Sequence, residues 1–154
     1  MYLKFFLFLG WALLFGKTSA AQDSTPLCSR ERTLMAESFS SEKLSEWQNR
    51  LNLKDWKITV MVVRATDLKP KTLGNIHWDG EKKTAVIRVL DPIDYKLKDQ
   101  AMLNDIEFTV VHELIHLELS LVLSPLQRNE ANRMEEEHAV NHMAQALLDL
   151  ERRK

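Results

Sequence analysis

His112-Glu113-Leu114-Ile115-His116 is the segment of this chain whose residue types and spacing suit metal chemistry. On a helix, residues four apart share a face. Two imidazoles so placed can grip one divalent ion while the glutamate between them serves an ion-bound water as general base. One zinc ion per chain is the expected cofactor, with His112 and His116 as ligands and Glu113 as the catalytic carboxylate. Thr109, His112, Glu113, His116 and Ser120 form a polar strip about a quarter-turn wide on this helix. Phe108, Val110, Val111, Leu114, Ile115, Leu117, Leu119 and Leu121 cover most of the rest, so the helix belongs in the middle of a domain. Two histidines and a glutamate buried there need partners, and a divalent cation satisfies all three at once.

A catalytic zinc keeps three protein ligands and an open position. The extension that would supply a glycine and a third histidine is absent, since Leu119 and Val122 occupy those positions. The final helical segment, about residues 127–151, offers Glu130, Glu135, Glu136, Glu137, His138 and His142 instead. Its apolar stripe is Val140, Met143, Ala144, Leu147 and Leu150. Relative to Val140, both Glu136 and Glu137 face inward, and periodicity alone leaves the two undecided.

Positioning these residues requires a domain around the helix. Ser41 can cap a first amphipathic helix over residues 41–52, with Leu44, Trp47 and Leu51 at helical spacing. Trp56, Ile58, Val60 and Val62 alternate with polar residues as in a half-buried strand. A second strand is expected from Leu73 to Trp78, and Asp79-Gly80 turns the chain into a third near Thr84 to Val89. Asp91-Pro92 stops that strand, the long helix starts between Asp99 and Asp105, and Ser124-Pro125 ends it. The expectation is an α+β fold: a small, mainly antiparallel sheet of about three strands, an amino-terminal helix, a buried helix and a carboxy-terminal helix.

Residues 1–20 differ from the rest. Lys4, an apolar run from Phe5 to Phe15, and Thr18-Ser19-Ala20-Ala21 follow the order of a secretory signal peptide. An exported protein, periplasmic or secreted, is therefore expected, without stable membrane insertion after cleavage. Residues 21–39 read as a flexible leader and 40–154 as the folded domain. Removing residues 1–20 takes away Lys4 and Lys17 and no acid, leaving the remainder more acidic than the −1 of the whole chain. Such a balance carries no electrostatic footprint for nucleic acid. Cys28 is the only cysteine, so no internal disulfide can form, and it reads as a solvated thiol in the leader.

The chain resembles small single-domain, gluzincin-like (zincin-like) metallopeptidases of bacteria and phages over about residues 44–150. The matching segments are Leu53-Lys54-Asp55-Trp56-Lys57-Ile58, His112 to Leu117, and Glu137-His138-Ala139-Val140-Asn141-His142-Met143-Ala144. The central motif is specific and the flanks are loose. In gluzincins the third zinc ligand is a glutamate on the helix after the active-site helix, which implies Glu137, with Glu136 as the fallback. The resemblance implies a peptide or protein substrate, and we expect a monomer. It also implies an oxyanion-stabilising tyrosine or histidine, for which Tyr95, His142, His138 and His77 are the candidates. By the same analogy, an edge strand over residues 73–78 would pair with an extended substrate. Asp55 could support a zinc-bound histidine or simply start a strand, and Trp47, Trp56 and Trp78 suit core or cleft-wall packing. The competing expectation is a non-catalytic, zinc-stabilised envelope binding module.

Overall fold

The computed structural model describes residues 28–123 and 129–153; the expected signal peptide and the Ser124-Pro125 return lie outside the described residues. The elements are α1 (Ser29–Arg50), β1 (Lys57–Val63), β2 (Gly74–Asp79), β3 (Thr84–Leu90), α2 (Asp99–Leu123) and α3 (Glu130–Glu151), with 3-10 turns at Ala65–Asp67 and Pro92–Asp94. The fold is α+β, as expected. Among the described residues, no helix is long and apolar enough to cross a membrane.

Helix α1 begins at Ser29 rather than Ser41, which corrects the flexible-leader reading over residues 29–39. Its first half is pinned to the domain by polar residues. Arg32 Nε donates to Asp99 Oδ1 at 2.8 Å, Arg32 Nη2 donates to the Leu97 carbonyl at 3.0 Å, and Thr33 Oγ1 donates to Asp91 Oδ1 at 3.1 Å. Ala36 is fully buried, and Met35 and Phe39 pack against Leu68, Leu90, Tyr95, Met102 and Ile106. Met35 and Phe39 stand four apart, but two apolar positions make only a short stripe, and the rest of the anchoring comes from Arg32, Thr33 and the small Ala36, whose partners lie far along the chain. Arg32→Ala should cost about 1–3 kcal/mol, the range for losing charge-assisted, partly buried hydrogen bonds. Urea unfolding would show this as a lowered midpoint with no loss of the helix beyond Ser40.

Helix α1 ends where the sequence suggested, through a left-handed residue. Asn52 has φ 58°, its N–H donates to the Asn49 carbonyl at 3.2 Å, and the Leu53 N–H donates to the Gln48 carbonyl at 3.0 Å. This is the Schellman arrangement, which satisfies carbonyls that the last helical turn leaves free. Leu53 then buries beside Trp47 and Trp56 in the main core.

The sheet is mixed, with strand order β1-β3-β2. β3 pairs antiparallel with β2 and parallel with β1, which corrects the mainly antiparallel expectation. Alternation reports which side chains are buried and carries nothing about strand order. β3 is the strand with the most buried positions, Ala85, Ile87, Val89 and Leu90, and it takes the centre, where both of its edges are paired. On one face, Ile58, Val60, Val62, Ile76, Ala85, Ile87 and Val89 join the core with Val110, Val111, Leu114 and Leu117 of α2. Lys57, Thr59, Met61 and His77 are exposed on the other face. Met102, Ile106, Val110, Val111, Leu114 and Leu117 are all fully buried, so α2 runs through the interior, between the sheet and helices α1 and α3.

Candidate metal centre

Helix α3 begins at Glu130, one residue after Asn129, whose side chain accepts from the Asn132 N–H and caps the first turn. Val140, Ala144 and Leu148 are its buried stripe and set its rotation against α2. That rotation turns Glu136 and Glu137 toward the histidines. His112 Nε2 lies 3.1 Å from His116 Nε2. Glu137 Oε2 lies 3.4 Å from His112 Nε2 and 3.5 Å from His116 Nε2. His112, His116 and Glu137 thus form a group that could hold a metal ion, each offering one ligand atom within 4.8 Å of the others.

Glu136 has a different partner. Its Oε1 lies 2.9 Å from His116 Nδ1, on the side of the ring away from Glu137. A carboxylate there fixes the tautomer, keeping the proton on Nδ1 and the lone pair on Nε2. The two glutamates that periodicity leaves equivalent are therefore separated by geometry: Glu137 joins the two Nε2 atoms and Glu136 supports one ring. His112 Nδ1 is buried without a protein partner among the described residues. Burial, followed by the neighbouring His116 charge, lowers the His112 pKa, and Glu137 and the Asn141 amide oppose that shift.

Glu113 lies on the same face of α2 and is 7% exposed. Burial, reinforced by the nearby Glu137 carboxylate, pushes its pKa up to about 8. The other polar residues of the strip are satisfied within the helix. Thr109 Oγ1 donates to the Asp105 carbonyl at 2.8 Å and Ser120 Oγ donates to the Leu117 carbonyl at 2.7 Å.

The centre opens into a cleft of about 530 Å³ whose opposite wall is β2, with Gly74, Ile76 and Trp78 in the lining. β2 is an edge strand, matching the expected strand over residues 73–78. The Leu90 N–H donates to the Leu73 carbonyl at 2.9 Å, which makes the odd-numbered positions the closely bonded ones. The N–H and C=O groups of Gly74, Ile76 and Trp78 therefore point to the open edge. Gly74 is required by close approach: a Cβ there would stand 2.4 Å from Thr109 Cγ2 and 2.5 Å from the Arg88 carbonyl oxygen. Gly74→Ala should cost about 1–3 kcal/mol through overpacking. Thermal unfolding would detect it, and a Thr109→Ser partner substitution should recover only part, because the Arg88 backbone cannot retreat.

None of Tyr95, His77, His138 and His142 is among the residues that line the cleft. Tyr95 is buried in the second core cluster, where desolvation raises its pKa, and His138 and His142 face each other at 5.9 Å on α3. Asp55 is exposed and ion-paired with Lys83, so it supports no histidine. Trp47 and Trp56 belong to the core, whereas Trp78 is 38% exposed on the cleft wall. Cys28 is exposed at the N-cap of α1, where its N–H donates to Glu31 Oε2 at 2.8 Å. Asn141, Arg133, Lys69 and Lys71 line the cleft without having been singled out from the sequence. Asn141 had a usable signal, lying one helical turn beyond Glu137. Comparison with protein-family models, curated proteins and solved structures gives no match.

Proposed function

We propose that the protein is a zinc-dependent peptidase, exported by its first twenty or so residues, with His112, His116 and Glu137 as zinc ligands and Glu113 as the general base. The observation that carries this reading is the triangle of His112 Nε2, His116 Nε2 and Glu137 Oε2, with edges of 3.1, 3.4 and 3.5 Å. Ligand distances of about 2.0–2.1 Å around a tetrahedral zinc require donor separations of about 3.3 Å, which the three separations match to within a few tenths of an ångström. Two imidazoles and one carboxylate are zinc chemistry rather than calcium or magnesium chemistry. Three protein donors facing an open cleft suit a catalytic site better than a closed structural one.

When bound, zinc would polarise a water and bring its pKa toward neutrality. Glu113 accepts a proton from the attacking water and passes it to the leaving amine nitrogen. Glu136 holds the His116 ring through Nδ1. The open edge of β2 offers N–H and C=O groups at Gly74, Ile76 and Trp78 to an extended peptide, which would add to the sheet as another strand. This holds a scissile carbonyl against the centre without demanding a particular side chain.

Elemental mass spectrometry of the purified chain tests the metal. One zinc per chain in the wild type, with little or none retained by His116→Ala, is the expected result. Absence of zinc after reconstitution would overturn the reading. Zinc without turnover of any peptide in a mixed library would leave the binding module as the better account.

A further inference from the structure

We propose that the cleft selects peptides carrying a carboxylate, through Lys69 and Lys71 on the loop before β2, an inference that rests on the peptidase reading. Lys69, Lys71 and Thr72 line the same cleft as His112, His116 and Glu137. Lys69 and Lys71 form no ion pair among the described residues, a state they share with Lys54, Lys57, Lys96 and Lys98, but they are the lysines that line the cleft. The third cation of the lining, Arg133, is already held by Glu130 at 2.7 Å. Two ammonium groups are therefore left for a ligand, in a cleft whose other ionisable lining is His112, Glu113, His116, Glu136 and Glu137 of the metal centre and the paired Arg133.

The turn that carries them is built rather than loose. The Thr72 N–H and hydroxyl both donate to the Lys69 carbonyl, at 3.2 and 2.8 Å. Pro70 occupies the second position, and Lys71 the third, with φ 67°. That third position of a type II turn favours glycine or asparagine, so a lysine there is held against its backbone preference. Gly74, two residues after the turn, lies close against Thr109 of α2. A segment lying along β2 would meet them near the Gly74 end of the strand. Lysine suits this task as a point charge on a flexible stem that accepts a carboxylate in several poses.

The carboxylate could belong to a Glu or Asp side chain or to a free C-terminus, and the test separates the two. Labelled peptides of one sequence with Glu or Gln at each position in turn, each with a free or an amidated end, are titrated by fluorescence anisotropy against the full-length Glu113→Gln protein, so that binding is read without turnover. The expected result is roughly twofold to fivefold tighter binding of one acidic form, weakening with salt as exposed charge pairs do. Lys69→Gln/Lys71→Gln should abolish that preference, and Lys69→Arg/Lys71→Arg should retain it. Circular dichroism checks that the variants fold. Equal binding of Glu, Gln, free and amidated forms would overturn the proposal, as would an undiminished preference in the double glutamine variant. Preferential binding with no cleavage by wild type would sink the peptidase reading alone; cleavage without preference would sink this inference alone.

Discussion

Under the proposed mechanism, Glu113→Gln should abolish peptide hydrolysis, lowering kcat by at least about a thousandfold while leaving one zinc per chain. The amide keeps the size and burial of the side chain and removes its capacity to accept a proton. General-base catalysis is worth about 10²–10⁴ in rate, and the same group is assigned the second transfer to the leaving amine. His112, His116 and Glu137, the proposed zinc ligands, are unchanged, so metal content should stay at the wild-type level. Loss of zinc together with activity would show Glu113 to be part of the metal site. Retained activity would remove it from the mechanism.

The same substitution has a signature in the metal-free protein. Glu113 has its pKa raised to about 8 by burial, from an ordinary value of 4.5. A carboxyl group with a folded-state pKa above its unfolded value binds more protons when folded, so stability falls as pH rises from about 4.5 through about 8. His112 acts in the opposite sense, because burial lowers its pKa and acid then favours the unfolded, protonated form. The difference between wild type and Glu113→Gln isolates the carboxylate. With EDTA present, the variant should gain on the order of a few kcal/mol over wild type between pH 5 and 9. Zinc should erase most of that gain, since an adjacent cation favours the ionised carboxylate. A constant stability difference across pH would mean that Glu113 is not desolvated as its burial implies.

Glu137→Ala and Glu136→Ala should separate in metal affinity. Glu137→Ala removes a donor of the triangle and should reduce zinc affinity by well over a hundredfold, leaving two imidazoles. Glu136→Ala removes the partner 2.9 Å from His116 Nδ1, and loss of such an outer carboxylate typically costs 10–100-fold in affinity or activity. Competition against a chromophoric chelator would rank the three proteins. A larger loss in Glu136→Ala than in Glu137→Ala would interchange their roles. Glu136→Gln should restore part of the affinity, because an amide oxygen still accepts from Nδ1–H, and no such recovery is expected in Glu137→Gln.

The helix that bears His112, Glu113 and His116 was legible in the chain alone, because a spacing of four and the apolar residues around it admit one periodicity. So were the strand segments and the turn at Asp79, where local chemistry decides: the Asp79 carboxylate accepts from the Glu81 and Lys82 N–H groups. The sequence did not reveal the first half of α1, since Arg32, Thr33 and Ala36 acquire their partners only across the fold. Strand order was equally hidden: the parallel pairing of β1 with β3 depends on a crossing that no local pattern records. Only the tertiary structure divided the work between Glu136 and Glu137. Both lie on the inward side of α3, and a difference of one residue in their facing becomes meaningful once Val140, Ala144 and Leu148 lock that helix against α2. The lysines of the cleft are the extreme case. Nothing near Lys69 or Lys71 in the chain marks them, and their relation to the metal centre exists because Gly74, lacking a Cβ, lets β2 approach Thr109.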